Sequence, residues 1–572
     1  MPKGPDVPSA ALLMQIAADY GIDLTAAEAD SYRSLMAGAI NSYRRLEDFA
    51  EPKPDVKYRR DGGWRPKSED NPCNGWYWRC NIVGAASGLL AGQRVAVKDV
   101  VSIAGIPMTI GSSLLEGFIP DFDATIVTRI LDAGGTIVGT TNCEAFAFSG
   151  AGHTCNHGPV RNPHDPAHNP GGSSSGSAVV LATGQADVAI GGDQGGSIRL
   201  PASWSGVLGL KPTFGLVPYT GCAMIEATLD HIGPMATTAE GIARLLSAIA
   251  GADPLDPRQR GAIPHGLVTD YMPALRRGVK GLKVALIREG FAQSGEDTGL
   301  PPSDPEVDRR VAAAARNLAT LGATVEEISL PMHLDAFHIW NGVVTEGAAD
   351  FVMRGAGLGT NWQGFYNTAV AQALARGMKA RPNDLPAPAK LVLLTGEYMR
   401  REYPGRYYGK AQNLRPLATA AYDSALTRFD ILAMPTIPFT ATRMVTPDAS
   451  IEDSVGTALN MLRNVCVANL TGHPAISIPC GMHAGLPVGL MLTGRHFEDA
   501  TLIAAGGGVR DAGRLEADVI WRRAVGNQRP LGMTIPPHYF SALGIKYADR
   551  PKRGALVSRE RACRDKLGDY SL

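Results

Sequence analysis

An α/β fold, with helices laid over a mixed or parallel sheet, is predicted by three observations. Apolar runs of strand length alternate with amphipathic segments of helix length. The alternation recurs in two well-separated stretches, at the spacing of βαβ units. Of the 572 residues, 45% are hydrophobic, ample to bury large cores.

Taken in chain order, the first elements are helical. From Ser9 to about residue 50, Leu12, Leu13, Ile16 and Ala17 share one helical face, and Tyr32, Leu35, Met36, Ile40 and Tyr43 share another. Thr25 with Glu28 three residues on reads as a capping box opening the second helix. Residues 51–74 carry Pro52, Pro54, Pro66 and Pro72 among charges and read as a linker or surface wrap. Strands are then expected at Arg94–Lys98 and Gly135–Gly139 around a helix at 124–131, and at 281–287 and 323–328 around a helix at 304–321. A further strand is expected at Phe429–Met434. Residues 333–413, rich in aromatics such as Phe337, Trp340, Trp362 and Tyr408, read as a packed helical subdomain that can also serve as a cap over a pocket. The expected division is 1–75 as an N-terminal helical region and linker, 76–332 with 414–525 as the α/β core, 333–413 as the helical cap, and 526–572 as a tail of unassigned structure.

Charge and composition exclude several classes. The 55 basic side chains are matched by 55 acidic ones, which argues against a nucleic-acid partner, because displacing counterions from phosphates needs excess Lys and Arg. No run approaches the ~18 apolar residues of a membrane span, and Met1–Ala10 has no signal-peptide pattern. The eight cysteines are scattered with no CxxC pair, as suits free thiols in a reducing cytoplasm. A cytoplasmic protein with no membrane partner is expected.

The 66 glycines are unevenly placed, with 16 of them in the 84 residues 150–233. Two clusters fall there. Gly171-Gly-Ser173-Ser174-Ser175-Gly176, ahead of a small-residue helix, suggests a bent loop with an exposed hydroxyl, or simply a polar loop. No GxxxxGK[ST] follows it, so a phosphate loop is disfavoured, while Gly172–Gly176 matches GxSxG with Ser174 as its central serine. In Gly191-Gly-Asp193-Gln194-Gly195-Gly196-Ser197-Ile-Arg199, successive N–H groups can converge as an oxyanion hole with a serine nucleophile at the end, or form a plain turn. Lys98 lies in an otherwise apolar strand; it is either an edge charge or, if buried, a neutral base. His153-Thr-Cys155-Asn-His157 fits no standard zinc spacing, and no metal is expected.

Together, Lys98-Asp99, the 171–177 cluster, Gly195-Gly-Ser197-Ile-Arg199, Gly209-Leu-Lys-Pro-Thr213 and Thr471-Gly-His-Pro474 resemble, in order and spacing, the amidase signature family of serine hydrolases, over about 88–508. The sequence is most similar to the bacterial, nitrile-pathway-type amidases of that family. The resemblance implies a large mixed sheet covered by helices on both faces. It implies a Ser-cisSer-Lys triad of Ser197 (nucleophile), Ser173 (bridging serine at a cis peptide) and Lys98 (base), with oxyanion-hole N–H groups from Gln194, Gly195, Gly196 and Ser197. Asp193 and Arg199 are implied as supports of that loop, with Ser174 in the triad's hydrogen-bond network. Phe146 and Trp340 are expected in an apolar substrate pocket. Departures from the family pattern stand at Ser175, Val100 and Glu144-Ala-Phe146. The implied reaction is hydrolysis of small aliphatic or aromatic amides through an acyl-enzyme. Carbamate, anilide or ester hydrolysis is the alternative, and the glutaminase-type component of an amidotransferase is a further one. No cofactor is implied, the partner is a small-molecule amide, and a homodimer is expected.

Overall fold

The computed structural model describes residues 4–296, 299–357, 359 and 362–509. The tail expected at 526–572, and the end of the core expected to reach 525, lie outside the described residues. The chain divides into two compact units, Met1–Asp55 and the remainder from Val56.

The first unit is a pair of helices, Ala10–Asp19 and Ala26–Leu46. The capping box forms as expected: Glu28 N donates to Thr25 Oγ1 (3.2 Å) and Thr25 N to Glu28 Oε2 (2.9 Å), satisfying two N–H groups that the helix start would otherwise leave unpaired. Ala17 and Ala29 are buried, whereas Leu12, Ile16, Tyr32, Leu35 and Leu46 are exposed.

Among the described residues, the second unit is built on eleven strands: β1 (Trp76–Val83), β2 (Arg94–Lys98), β3 (Thr136–Thr141), β4 (Val188–Asp193), β5 (Leu208–Lys211), β6 (His231–Ala236), β7 (Lys283–Ile287), β8 (Thr324–Ile328), β9 (Ile431–Pro435), β10 (Ala475–His483) and β11 (Leu486–Thr493). They form one sheet in the order β1-β3-β2-β4-β6-β5-β10-β11-β9-β7-β8. The pairs β2–β3, β2–β4, β7–β8 and β7–β9 are parallel and the others antiparallel, so the sheet is mixed. Both expected βαβ units are present, with the crossover helices Thr125–Asp132 and Pro305–Asn317.

Both faces of the sheet are covered, and the strand period of two shows it directly. Val95 and Val97 enter one core while Ala96 between them enters another; Val188 and Ile190 flank Ala189 in the same way, as do Val284 and Leu286 around Ala285. The face of Ala96 and Ala189 is covered by helices Ser175–Ala182 and Arg199–Ser205, which set Ala178 and Ala202 against the sheet. The edge strand β8 carries Glu326 and Glu327, a charged edge that discourages further strand pairing. Helices Met332–Ala348, Thr368–Ala380, Ala387–Glu402 and Arg406–Arg428 make up the region expected as a cap. Val343, Ala418 and Tyr422 from them pack with Leu432 and Met491 of the sheet.

Candidate active site

Lys98 is the last residue of β2, on the same face as Ala96. That face is covered by the helix Ser175–Ala182, so the lysine stem enters a closed interior and is 1% exposed. Its Nζ donates to Ser173 Oγ at 2.7 Å and to the Gly192 carbonyl at 3.3 Å. The Gly172–Ser173 peptide is cis. The Ser173 carbonyl accepts from Glu144 N, and Ser174 N donates to the Ser197 carbonyl (3.2 Å each), so backbone bonds hold both serine clusters in register.

Burial is the leading influence on Lys98. It lowers the ammonium from the usual 10.5 to about 8, against the opposing pull of Cys143, Asp193, Asp230 and Glu144. An amine poised there exchanges its proton near neutrality.

β4 ends at Asp193, and the turn that follows leads into the helix Arg199–Ser205. Asp193 is the hub of that turn. Its carboxylate accepts from Gly196 N (2.8 Å), Ile198 N (3.1 Å), Arg199 Nε and Nη2 (3.0 Å each) and Asn469 Nδ2 (2.9 Å). Burial alone would raise its pKa, but Arg199, Lys211 and Asn469 outweigh burial and hold the carboxyl well below the usual carboxylate range. Arg199 completes the tie through Nη2 to Asn469 Oδ1 at 2.7 Å.

Ser197 is 8% exposed, and it lines a cavity together with Lys98, Ser173, Gln194 and Asp193. The apolar wall of that cavity includes Ile110, Phe146, Met224, Val370 and Leu374. Phe146 thus stands where a pocket residue was expected.

Several expectations are revised. The loop at 171–176 does not expose a hydroxyl: Ser173, Ser174 and Ser175 are fully buried, because the helix they open is buried from Ser175 through Leu181. Ser174 Oγ, the centre of the GxSxG match, donates to the Gly192 carbonyl (3.1 Å) and accepts from Gly192 N (3.2 Å), pinned to β4 rather than lining the cavity. Of the four N–H groups expected to converge, that of Gly196 turns to Asp193. Gly196 needs φ +121°, a backbone that L side chains rarely adopt, to make that turn. Trp340 does not line the cavity either. Its indole Nε1 donates to the Gln194 carbonyl at 3.2 Å, and the ring packs on Gly195, where an added Cβ would fall 2.5 Å from Cζ2. It is a buttress behind the turn. His157 is stacked on Tyr77, with its ring nitrogens near Arg65 and Thr109, so the 153–157 histidines do not gather round a common point.

Asn469 and Asp230 stand outside the motifs that the sequence singles out. Asn469 lies in the helix Cys466–Thr471, immediately before the Thr471–Pro474 motif, which is the one sequence signal pointing toward it. Asp230 lines the cavity; Oδ2 accepts from Ile225 N and Glu226 N, while Oδ1 is buried without a partner, and burial raises the carboxyl to about 7.

A mixed eleven-strand sheet that seats a buried lysine on one serine, beside a second serine opening to a cavity, defines a site of hydrolase type. Comparison with known proteins gives the family. Residues 79–503 match the family model described as Amidase. An enantioselective amidase of Rhodococcus rhodochrous is 42% identical over 479 residues, covering 83% of this chain and 89% of that protein. One component of the glutamyl-tRNA(Gln) amidotransferase of Methanosarcina mazei is 36% identical, covering 73% of this chain and 84% of that one. Among solved structures, the native peptide amidase of Stenotrophomonas maltophilia superposes with a TM-score of 0.62 at 30% identity, covering 75% of this chain and 84% of that one. The chain belongs to the Amidase family. It is an amidase, an enzyme that hydrolyses carbon–nitrogen bonds.

Proposed function

We propose that Ser197 is the nucleophile of this amidase, Ser173 its proton relay and Lys98 its base. The observation that carries this reading is the 2.7 Å contact between Lys98 Nζ and Ser173 Oγ, inside a cavity that Ser197 also lines. Neutral Lys98 takes the Ser173 proton as Ser173 takes that of Ser197, and Ser197 Oγ bonds to the amide carbonyl carbon. Charge on the carbonyl oxygen is met by the N–H groups of Gln194, Gly195 and Ser197; one such donor is typically worth ~3 kcal/mol in the transition state. The relay returns the proton to the leaving nitrogen, the C–N bond breaks, and ammonia or an amine departs. Water then attacks the Ser197 ester over the same relay, releasing the carboxylic acid.

The apolar wall of Ile110, Phe146, Met224 and Leu374 supports a small amide with an apolar acyl group as the substrate. Carbamates, anilides and esters would react by the same steps. We read the chain as acting without amidotransferase partner chains. No helix among the described residues is long and apolar enough to cross a membrane, and the described cysteines are all free, which fits a cytoplasmic location. The exposed Leu12, Ile16, Tyr32 and Leu35 of the first unit suit a homodimer contact.

A serine-reactive fluorophosphonate followed by peptide mapping tests the assignment. The label is expected on Ser197, with hydrolysis of benzamide by the isolated chain lost in parallel. A label on Ser174, or hydrolysis that persists in Ser197→Ala, overturns it.

A further inference from the structure

Three side chains that the proposed reaction leaves unused meet away from the cavity. Asp423 projects from the helix Arg406–Arg428, His473 belongs to the Thr471–Pro474 motif ahead of β10, and His496 follows β11. One ligand-capable atom of each lies within 4.8 Å of the other two. Asp423 Oδ1 is 3.0 Å from His473 Nε2 and 3.7 Å from His496 Nδ1, and the two imidazole centroids are 3.9 Å apart.

His496 Nε2 stands 3.1 Å from the Thr471 carbonyl oxygen, which only accepts, so Nε2 carries the ring's hydrogen. A neutral ring then turns the lone pair of Nδ1 toward a carboxylate oxygen. Nδ1 and the carboxylate oxygen then face each other across 3.7 Å, an arrangement that a metal ion bound to both would satisfy. His473 is fully buried and its Nδ1 has no partner.

We infer that Asp423, His473 and His496 form a binding site for a divalent transition-metal ion of the Zn²⁺ type. A tetrahedral ion with bonds of ~2.0–2.1 Å separates its donors by roughly 3.3 Å, and the two contacts to Asp423 bracket that value at 3.0 and 3.7 Å. Two imidazoles and one carboxylate suit Zn²⁺, whereas Ca²⁺ and Mg²⁺ want oxygen throughout. The bond from His496 Nε2 to a backbone carbonyl is the kind of supporting contact that orients a ligating histidine. Access is open, since His496 lines a cavity of about 470 Å³ with Thr471, Gly472 and Phe497. The ion would tie the helix Arg406–Arg428 to the segments on either side of the β10–β11 hairpin. Asp423 stands 50 residues before His473, so no local spacing announces the site.

The test uses the whole chain, stripped with EDTA and titrated with ZnCl₂ against a chromophoric chelator. One equivalent is expected at micromolar protein, with Asp423→Ala and His496→Gln each weakening it at least ~tenfold. X-ray absorption at the zinc edge should report two imidazole nitrogens and one oxygen at ~2.0–2.1 Å. Zn²⁺ should raise the unfolding temperature of the wild-type chain and leave that of Asp423→Ala unmoved, while Asp423→Ala hydrolyses amides at the wild-type rate in EDTA. Absence of binding, full affinity in either variant, or a spectrum with thiolate ligands overturns the site and leaves the catalytic assignment untouched.

Discussion

Lys98→Met tests the base assignment and the energetics of its burial in one variant. Methionine matches the lysine stem in shape but has no lone pair basic enough to take the Ser173 proton. With the lysine lowered from 10.5 to about 8, roughly one molecule in eleven carries a neutral amine at pH 7, against roughly one in three thousand for an unshifted lysine. Burial therefore multiplies the reactive form about 300-fold, equivalent to about 3 kcal/mol at 1.36 kcal/mol per pKa unit. For the wild-type chain, kcat/KM for benzamide should rise tenfold per pH unit below a limb near pH 8 and level off above it. In Lys98→Met the limb should vanish and the rate fall by about 10²–10⁴, the range for losing a general base. Stability should move the other way. Between about pH 8 and 10.5 the unfolded chain binds the lysine proton and the folded chain does not, so wild-type stability rises with pH across that window and is lower below it. Removing the group should stabilise the fold at pH 7 by about 2 kcal/mol, once about 1 kcal/mol is subtracted for the lost bond to Ser173, and the gain should vanish near pH ~10 and turn into a loss of up to about 1 kcal/mol above it. Urea midpoints at the two pH values measure it. A variant with wild-type rate and pH profile, or one equally destabilised at both pH values, would refute the reasoning.

Two further substitutions probe the turn that carries Ser197. Asp193→Asn leaves Arg199 buried without its counter-charge and should cost about 3–5 kcal/mol in urea unfolding, with kcat down at least ~100-fold in the fraction that folds; unchanged kcat would mean the hub does not shape the site. Gly195→Ala puts a methyl 2.5 Å from Trp340 Cζ2, so the turn or the indole must shift. The expected signature is a fall in kcat with KM little altered, and a fall confined to KM would place the damage in substrate binding instead.

The parts of this architecture that are legible in the sequence are those written in short stretches. β2, β3, β7 and β9 announce themselves as apolar runs and β8 by its place in the repeated strand–helix–strand alternation, and Thr25 with Glu28 fixes a helix start through contacts three residues apart. The serine clusters are also local, because nest-forming glycines and a hydroxyl must be neighbours in the chain. β6, β10 and β11 escape notice because Pro234, Pro479 and Pro487 interrupt them; their strand state comes from pairing on both sides, which no local window records. β4 is hidden by Gly191-Gly192, which reads as turn although both lie in the strand. The misplacement of Trp340 has the same cause: its target, the Gln194 carbonyl, is 146 residues away, and an aromatic in a helix-prone segment looks the same whether it faces a substrate or a backbone.

The position of the β10–β11 hairpin bears on how this chain is made. Strands β1 to β6 form one block of the sheet and β7 to β9 another, and the hairpin, the last pair of described strands to be synthesised, lies between the blocks with β5 on one side and β9 on the other. Asn469, which ties the turn carrying Ser197 through Asp193 from 276 residues away, emerges just before it. A nascent chain on the ribosome therefore carries two half-sheets with open edges and a slack serine turn until its last quarter appears. Catalytic competence arrives late in translation, in the same step that seals the exposed edges against pairing with other chains.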